Sequence, residues 1–481
     1  MPSPRVLLTG ASGSMGFEAF LELRRRSSDY STRLILRPSQ VNRKMFARYL
    51  DDPGLEIVWG DLTNPDDVER AVEGVDFVLH PAAMISPGAD QNPAAAREIN
   101  VGGTENILAS ILRQPDGAER IRLVSVGSVA QYGDRLPPRE WIRVGDPLIP
   151  SVHDHYALTK CEAEKQVVES GLRHWASLRQ TFIVPPKILS LLDSILFHQP
   201  LEQRIEFITS RDAGYGLVQC LDAPEDFWGR IYNMSGGPAC RIDYEQFIDD
   251  QFRLAGLGDY RKIFERNWFA LKNFHCGYFE DSGELDHYLG HFRDDLSDTY
   301  AMIEEALRPW MKWGARLAPA PLLNLLARRW AEPLQWIAEN DDARIKAFFG
   351  SREAWEGIPG WDWARVGIPG GRDARAPSRD DRSGHTFRDI GREDLVDFAH
   401  SRGGSLLSSD FEGWRQQHRW RCALKHEFQA SPVLLLEGGY WCPECFPCPE
   451  VGRDWGWDHQ AEVDPLLGRF YGKGSSPHVA A

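Results

Sequence analysis

Arg5-Val-Leu-Leu-Thr-Gly-Ala-Ser-Gly-Ser-Met-Gly16 joins a short apolar strand directly to three glycines. Gly10, Gly13 and Gly16 have the spacing of a turn that lets the backbone approach a diphosphate. A helix that begins at such a turn points its free N–H groups at the negative charge. The residues that follow keep helical spacing, so the stretch predicts a phosphate-binding strand–turn–helix unit.

Strand and helix patterns alternate through the first part of the chain. One helix is predicted to begin after Asn64, because Pro65 suits the first helical position and acidic residues follow it. This alternation predicts an α/β fold with a doubly wound parallel Rossmann sheet and a ligand at the carboxyl ends of its strands. The predicted strands are Val6–Leu8, Arg33–Leu36, Leu55–Trp59, Val75–Leu79, Arg122–Val126, Ser177–Val184 and one that begins at Arg230.

Composition limits the class of protein. The chain has 481 residues, 42% of them apolar, and a net charge of -15, which argues against nucleic-acid binding by the whole chain. It lacks an apolar run of the roughly 18 residues that span a bilayer and an N-terminal signal-like run, so we expect no membrane partner and a cytoplasmic location. Eight cysteines, half of them near the C-terminus, are typical of metal ligands rather than disulfides.

A chain of this length predicts more than one folded unit. The aromatic residues between 240 and 350, a largely helical region, are expected to pack in a core. The predicted parts are a Rossmann catalytic unit over 1–260 with substrate elements from about residue 185, a helical extension over 261–356, a linker over 357–390, a small metal-binding module over 391–470 and a tail over 471–481.

Tyr156 and Lys160 are spaced i, i+4 on a predicted helix, so both side chains face one way. A neighbouring ammonium and the positive ring of an oxidised nicotinamide lower the pKa of a phenol from its usual value near 10. Such a tyrosine can exchange a proton with an alcohol or carbonyl oxygen. Ser128 follows the fifth strand, where its hydroxyl can bond the reacting oxygen. Ser125 lies within that strand and is expected to be structural.

With these motifs, the chain resembles the extended short-chain dehydrogenase/reductase family, the NAD(P)-dependent epimerases, dehydratases and reductases. The resemblance covers about residues 4 to 260. The matching pieces are Thr9-Gly-Ala-Ser-Gly-Ser-Met-Gly16, Gly60-Asp61-Leu62, His80-Pro-Ala-Ala83, Asn100-Val-Gly-Gly-Thr-Glu-Asn106, Ser128 four residues before Tyr132-Gly133, and Tyr156 with Lys160.

The resemblance implies that Ser128 polarises the substrate oxygen, that Tyr156 is the acid/base, and that Lys160 holds the nicotinamide ribose. Asp61 would approach the adenine, although a helix-capping role is an equal alternative. The resemblance also implies a homodimer that forms through the helices that carry Asn100 and Tyr156. The implied cofactor contacts are Gly10, Ser12, Gly13, Met15, Gly16, Asp61, Leu62, Ala82, Ala83, Asn100, Tyr156 and Lys160.

Cofactor choice is predicted from the end of the second strand, where NAD enzymes usually carry an acidic residue. Here Arg37-Pro-Ser-Gln-Val-Asn-Arg-Lys44 is basic, and the first carboxylate after it is Asp51. Arg37, with Ser39 and Arg43 or Lys44, can bind a 2′-phosphate through charge-assisted hydrogen bonds. We therefore expect NADP(H) in preference to NAD(H), with a solvated basic loop as the alternative.

The sixth predicted strand departs from the nucleotide-sugar members of that family. Those members usually carry an Arg-Pro-x-x-x-Tyr-Gly-Pro-like segment after it, whereas this chain has Leu178-Arg-Gln-Thr-Phe-Ile-Val-Pro-Pro-Lys187. Alcohol–ketone redox chemistry on a small molecule is therefore the more direct expectation.

The C-terminal part carries two ligand pairs, Cys422 with His426 and Cys442 with Cys445. Four such ligands suit tetrahedral Zn²⁺, and the pattern is similar to a treble-clef zinc-ribbon module. Cys448 extends the second pair and could replace His426, and free cysteines in a turn are the remaining alternative. Because all four positions would be filled by protein, a structural metal is expected.

Three functions are compatible with these motifs. The leading hypothesis is an NAD(P)-dependent oxidoreductase that moves a hydride between nicotinamide and a secondary alcohol or ketone. The second is a sugar epimerase or dehydratase that retains its NAD. The third is a nucleotide-sensing regulator whose zinc module binds a partner, although the intact Ser128, Tyr156 and Lys160 set argues against it.

Overall fold

The computed structural model describes residues 3–137, 139–184, 194–361, 390–453 and 455–471. Most of the predicted linker (362–389) and nearly all of the predicted tail (472–481) lie outside these residues. The strands are β1 (Arg5–Leu8), β2 (Ser31–Leu36), β3 (Leu55–Trp59), β4 (Phe77–His80), β5 (Arg122–Ser128), β6 (Trp141–Ile142), β7 (Trp175–Gln180), β8 (Ile183–Val184), β9 (Arg204–Glu206), β10 (Ile208–Thr209), β11 (Arg230–Met234), β12 (Arg241–Asp243), β13 (Tyr278–Phe279), β14 (Ser405–Leu406), β15 (His418–Arg421) and β16 (Glu427–Ala430).

Helices alternate with the early strands and then dominate the second half. They are α1 (Ser14–Arg25), α2 (Gln40–Phe46), α3 (Pro65–Val72), α4 (Gly88–Gln91), α5 (Pro93–Arg97), α6 (Gly103–Arg113), α7 (Gly117–Arg120), α8 (His155–Val168), α9 (Ile195–His198), α10 (Ser210–Gln219), α11 (Tyr244–Ala255), α12 (Ser282–Leu289), α13 (Leu296–Ala306), α14 (Pro309–Leu317), α15 (Ala320–Ala327), α16 (Glu332–Glu339), α17 (Asp342–Phe349), α18 (Arg352–Glu356), α19 (Arg392–Ser401), α20 (Asp458–Val463) and α21 (Pro465–Phe470).

Seven strands form a parallel sheet in the order β11-β7-β5-β4-β1-β2-β3. The strand order reverses between β1 and β4, and the crevice of a doubly wound fold lies at such a switch point. Leu7 and Val78 belong to the core on one face, whereas Leu8 and Leu79 belong to the core on the other. Helices bury both faces, as parallel sheets require. The predicted fold class is confirmed.

The predicted strand Ser177–Val184 is wrong in one respect, because the structure divides it into β7 and β8. The Thr181 amide still bonds the Met234 carbonyl oxygen of β11, at 3.0 Å, but β8 pairs with β10 in a separate sheet. The chain leaves the main sheet at Phe182, whose carbonyl oxygen accepts from the Ile208 amide at 3.1 Å. This departure opens one wall of a cavity.

The aromatic residues of the helical extension do not all pack in a core, contrary to the sequence-based expectation. Trp268 and Trp336 are buried, but Trp310, Trp313 and Trp330 are 67%, 65% and 45% exposed. Trp310 and Trp313 lie three residues apart on α14, and Trp330 follows α15. Sequence spacing alone does not say whether an apolar helix face is covered.

The C-terminal segment packs on the sheet rather than standing apart from it. Its hairpin of β15 and β16 contributes Trp420 to the same core that contains Leu7 and Val78. Leu434 and Leu435, in the turn that follows, are buried in that core as well. Among the described residues, every helix is too short or too polar to cross a bilayer.

Candidate functional site

A cavity of about 760 Å³ opens at the carboxyl ends of β1, β4 and β5. The glycine turn lines one end of it, Ser128, Tyr156 and Lys160 line the middle, and apolar side chains line the other end. The described lining residues include no Asp, Glu or Arg. The structure therefore brings the predicted phosphate turn and the predicted acid/base residues into one space.

The glycine turn is held close to the loop that follows β4. Gly10 has φ +61°, and a Cβ at this position would lie 2.8 Å from Ala82 Cα. A Cβ on Gly16 would collide with the Gly10 carbonyl oxygen. Glycine is required at both positions, one for the turn and one for the contact between strand and helix. Helix α1 then begins at Ser14 without a side-chain cap, which leaves its first N–H groups facing the cavity end.

A buried histidine fixes the spacing of these two loops. His80 Nδ1 lies 2.9 Å from Thr9 Oγ1, and Thr9 Oγ1 accepts from the Ala82 amide at 3.3 Å. On its other side, His80 Nε2 lies 3.2 Å from Thr104 Oγ1. Burial, with the nearby Lys160 charge, lowers the pKa of His80 to about 3. His80 is therefore a neutral structural bridge.

Asn100 lies behind the cavity in a π-helical turn, Glu98–Gly102. Its Oδ1 accepts from the Met84 amide at 2.7 Å, and its Nδ2 donates to the Met84 carbonyl oxygen and to Thr159 Oγ1, both at 2.9 Å. These bonds join the loop after β4 to helix α8. Such π turns are frequent at functional sites because they redirect a side chain out of the helical register.

Ser128 and Tyr156 face one another across the cavity. Ser128 ends β5, and helix α8 begins after Asp154, whose carboxylate accepts from the Ala157 amide at 2.8 Å. Burial raises the pKa of Tyr156 to about 12, against a lowering hydrogen bond from Ser128. Burial is the largest cause of this shift, and Lys160 is not among the causes in the protein alone. That Lys160 and an oxidised nicotinamide together make the phenol acidic stays a prediction.

Lys160 lies one helical turn after Tyr156 and is only 6% exposed. Burial lowers its pKa from 10.5 to about 8, partly offset by the charge of Glu164. The amine thus sits in an apolar wall at an energetic cost. Such strongly shifted groups in a cavity are typical of functional sites.

A buried polar network behind Ser128 was not predicted from the sequence. The Ser128 amide donates to Gln131 Oε1 at 2.7 Å, and Gln131 Nε2 donates to Glu164 Oε2 at 2.9 Å. Arg179 Nη2 donates to the same Glu164 oxygen at 2.6 Å, and the Tyr440 hydroxyl lies 2.9 Å from it. Tyr156, Lys160 and Glu164 are spaced four residues apart along one face of the helix, and this spacing could have predicted that Glu164 lies near the other two.

The residues predicted to choose the cofactor lie at the edge of the sheet. Arg37 is exposed after β2, where its carbonyl oxygen accepts from Asn42 Nδ2 at 2.9 Å. Ser39 is occupied as the N-cap of α2, and the Arg43 guanidinium stacks 4.6 Å from the Trp59 ring centroid. Arg37 and Lys44 are both exposed, and neither side chain forms an ion pair with a described residue.

Asp61 caps a turn rather than a helix. Its Oδ1 accepts from the Thr63 amide at 3.0 Å and from the Thr63 hydroxyl at 3.1 Å. Asn64 is the N-cap of α3, as the sequence predicts for that helix. The second carboxylate oxygen of Asp61 takes no part in these two bonds.

Four predicted metal ligands converge in the C-terminal segment. Cys422 Sγ lies 3.8 Å from Cys445 Sγ, and His426 Nδ1 lies 3.3 Å from Cys445 Sγ and 3.7 Å from Cys442 Sγ. All four ligand atoms lie within 4.8 Å of one another. Cys448 is turned away, and its thiol contacts Glu450 Oε2 at 3.3 Å.

Residues 6–235 match the model of the NAD dependent epimerase/dehydratase family. Short-chain dehydrogenase/reductase family 42E member 1 of Mus musculus is 34% identical over 179 residues, which cover 35% of this chain and 41% of that protein. A 3 beta-hydroxysteroid dehydrogenase/Delta 5-->4-isomerase of Mycobacterium tuberculosis (strain ATCC 25618 / H37Rv) is 31% identical over 180 residues, 34% of this chain and 42% of that protein. The match thus spans less than half the length of either relative.

The fold is similar to those of two solved sugar-nucleotide dehydratases. The dTDP-glucose 4,6-dehydratase DesIV of Streptomyces venezuelae, with NAD and DAU bound, gives a TM-score of 0.51 at 22% identity, over 64% of this chain and 98% of that one. The dTDP-glucose 4,6-dehydratase of Bacillus anthracis str. Ames, in complex with NAD, gives 0.50 at 16% identity, over 66% and 97%. At 22% and 16% identity, these comparisons show a similar fold and nothing about the substrate.

Lys160→Met should stabilise the protein. Below pH 8 the folded protein buries an ammonium that the unfolded chain exposes, and a pKa drop from 10.5 to about 8 corresponds to about 3 kcal/mol of unfolding free energy. The gain should shrink between about pH 8 and pH 10.5, as the unfolded-state amine also becomes neutral. Thermal unfolding across this pH range measures the stability gain of Lys160→Met. The control is Lys165→Met, because Lys165 is partly exposed. An equal gain in both variants would contradict the lowered pKa of Lys160.

Proposed function

We propose, from the match of residues 6–235 to the model of the NAD dependent epimerase/dehydratase family, that this chain is an NAD(P)-dependent oxidoreductase. It would move a hydride between nicotinamide and a secondary alcohol or ketone. The observation that carries this proposal is that Ser128, Tyr156 and Lys160 line the same cavity as the glycine turn. A protein that only senses nucleotide has no use for the proton-transfer residues.

The glycine turn fits a nicotinamide dinucleotide. Gly10 and Gly16 keep the backbone free of side chains where a Cβ would collide, and α1 offers its uncapped N-terminus to a diphosphate. Lys160, one turn after Tyr156 in the same cavity, would hold the nicotinamide ribose. When bound, the dinucleotide supplies the hydride acceptor or donor for the reaction.

The residues of this chain would handle the proton. With a pKa near 12, Tyr156 is protonated at neutral pH and can donate its proton to a carbonyl oxygen as hydride reaches the carbon. Ser128 would donate a hydrogen bond to the same oxygen and stabilise its developing negative charge. In the reverse direction Tyr156 accepts the alcohol proton, which requires positive charge nearby to stabilise the phenolate.

The lining of the cavity favours an apolar substrate. Beyond Tyr156, the wall is built from Phe182, Phe247, Ile248 and Phe252, with no described Asp, Glu or Arg to meet a nucleotide diphosphate. A 3 beta-hydroxysteroid dehydrogenase among the relatives is consistent with such a substrate. We therefore propose a bulky, mostly apolar secondary alcohol or ketone.

Tyr156→Phe should lower kcat by about 10²–10⁴-fold, because the variant has no proton to exchange. The assay is a panel of apolar and sugar-nucleotide alcohols and ketones, followed by absorbance of NADPH and NADH. Tyr260→Phe is the matched control, since it also removes a buried hydroxyl. That hydroxyl donates to Glu245 Oε1 at 2.6 Å, and Tyr260 is not among the residues that line the cavity.

Two results would reject this proposal. Protein that is purified with tightly bound NAD and fails to oxidise added NADPH would instead indicate a redox-neutral epimerase or dehydratase. Full activity in Tyr156→Phe would reject Tyr156 as the acid/base of the reaction.

The exposed Arg37 supports NADP(H) as the cofactor, because its guanidinium is free to bind a 2′-phosphate. Arg37→Ala should reduce kcat/KM with NADPH by about ten- to a hundredfold, the loss of one charge-assisted contact, and leave kcat/KM with NADH nearly unchanged. Arg113→Ala, an exposed arginine on α6, is the control. A wild-type preference for NADH would refute the role proposed for Arg37.

We also propose that Cys422, His426, Cys442 and Cys445 bind one structural Zn²⁺. Zinc–ligand bonds of about 2.0–2.3 Å in a tetrahedron place sulfur atoms roughly 3.8 Å apart and sulfur and nitrogen roughly 3.5 Å apart. The observed separations of 3.3 to 3.8 Å fit that tetrahedron. The position of Cys448, bonded to Glu450, favours His426 as the fourth ligand.

Metal analysis by mass spectrometry should find one zinc per chain. Cys445→Ser should lose the zinc and lower the unfolding temperature, because the binding free energy of a structural metal contributes to folding. Cys448→Ser is the matched control, since both thiols are partly buried in the same segment, and it should keep the zinc. Zinc retained in Cys445→Ser but lost in Cys448→Ser would overturn the ligand set.

A further inference from the structure

Helix α14 and the residues that follow it carry an apolar surface that the described parts of the protein leave uncovered. On α14, Trp310, Trp313 and Leu317 are 67%, 65% and 78% exposed. Their i, i+3, i+7 spacing puts them on one face of the helix. Large apolar side chains grouped in this way, rather than scattered singly, mark an interaction site.

Helix α15 continues this surface while its other side is anchored to the protein. Leu322 and Leu325 are 50% and 65% exposed. On the opposite side, Leu323 packs against the main core, Ala327 is buried, and Asn324 Nδ2 donates to the Ile263 carbonyl oxygen at 2.8 Å. The exposed leucines are therefore the outer face of a docked helix. We call the exposed apolar side chains of α14 and α15, with Trp330, the α14–α15 face.

The α14–α15 face is basic as well as apolar. Residues 306 to 331 contain five Arg or Lys and no Asp or Glu, in a chain whose net charge is -15. Arg308, Arg316 and Arg329 are exposed and form no ion pair with any described residue, and the other two basic residues pair with glutamates. Tryptophan and leucine interspersed with free arginines match the interface of a membrane that carries anionic lipids.

This surface lies next to the apolar end of the cavity. Helix α14 packs on the turn at Gly256, where a Cβ would lie 2.9 Å from the Lys312 carbonyl oxygen. The residues on either side of that glycine, Ala255 and Leu257, line the cavity. A membrane bound at α14 would therefore lie beside the wall of the cavity that suits an apolar molecule.

We propose that the α14–α15 face docks on the surface of an anionic lipid bilayer without crossing it. The expectation of no membrane partner came from the absence of a spanning apolar run, and peripheral docking does not need one. A second copy of the chain is a poorer occupant. In a twofold-symmetric dimer the same patch meets itself, so both halves of the interface would carry the unpaired arginines Arg308, Arg316 and Arg329 and no Asp or Glu from residues 306 to 331.

The experiment is cosedimentation of the full chain with vesicles. We expect at least about tenfold more bound protein on phosphatidylcholine vesicles that contain one third phosphatidylglycerol than on phosphatidylcholine alone. Brominated lipids should quench tryptophan fluorescence. The triple variant Trp310→Ser, Leu317→Ser, Leu325→Ser should lose binding, and Arg308→Glu with Arg316→Glu should lose the preference for anionic lipid.

Leu112→Ser with Val451→Ser is the matched control, because both side chains are exposed apolar residues outside the face, at 49% and 65%. Wild-type protein that stays in the supernatant, or equal loss of binding in the control, would overturn the proposal. So would light scattering that finds a dimer which the triple variant dissociates. Vesicle binding needs no cofactor or substrate, so its failure is separate from any failure of the proposed activity.

Discussion

The buried ion pair of Glu164 and Arg179 is the contact on which the candidate site depends. Both side chains are 0–1% exposed, and Arg179 donates to Glu164 at 2.6 Å. Burial opposes ionisation of Glu164, but the Arg179 charge and further hydrogen bonds keep its pKa below the usual value. Removing one partner of such a pair costs about 3–5 kcal/mol, whereas the intact pair itself stabilises little. The main effect of the Glu164–Arg179 pair is to fix the positions of the side chains that bond to it.

The hydrogen bonds of this ion pair reach both the catalytic candidates and the Cys/His cluster. Gln131 connects Glu164 to the Ser128 amide, and Tyr440, two residues before the candidate ligand Cys442, contacts Glu164 from the other side. A Cβ on Gly127 would lie 2.8 Å from Gln131 Oε1, so the strand needs glycine there for the network to fit. The C-terminal segment is therefore part of the wall behind the cavity. A metal that orders Cys442 would also fix Tyr440.

Local patterns in the sequence predicted the central sheet and the glycine turn, because strand alternation and Gly10, Gly13 and Gly16 each act over a few residues. The polar network could not be predicted in the same way. Gln131 and Tyr440 are 309 residues apart, and nothing in their own neighbourhoods indicates that they meet. The exposed tryptophans escaped prediction for a different reason, since an apolar helix face such as that of Trp310, Trp313 and Leu317 predicts burial and the sequence does not show what covers it.

The two shifted pKa values give the cavity a definite resting state. Burial raises the pKa of Tyr156 to about 12 and lowers that of Lys160 to about 8, so both groups move towards neutrality. Below about pH 8 a protonated phenol therefore lies beside a buried ammonium, and the phenol is better suited to donate a proton than to accept one. Burial thus opposes the Tyr156 phenolate, the form that would accept a proton from an alcohol. Burial is the largest cause of both shifts, so one physical feature of the cavity sets the resting protonation of the phenol and of the amine.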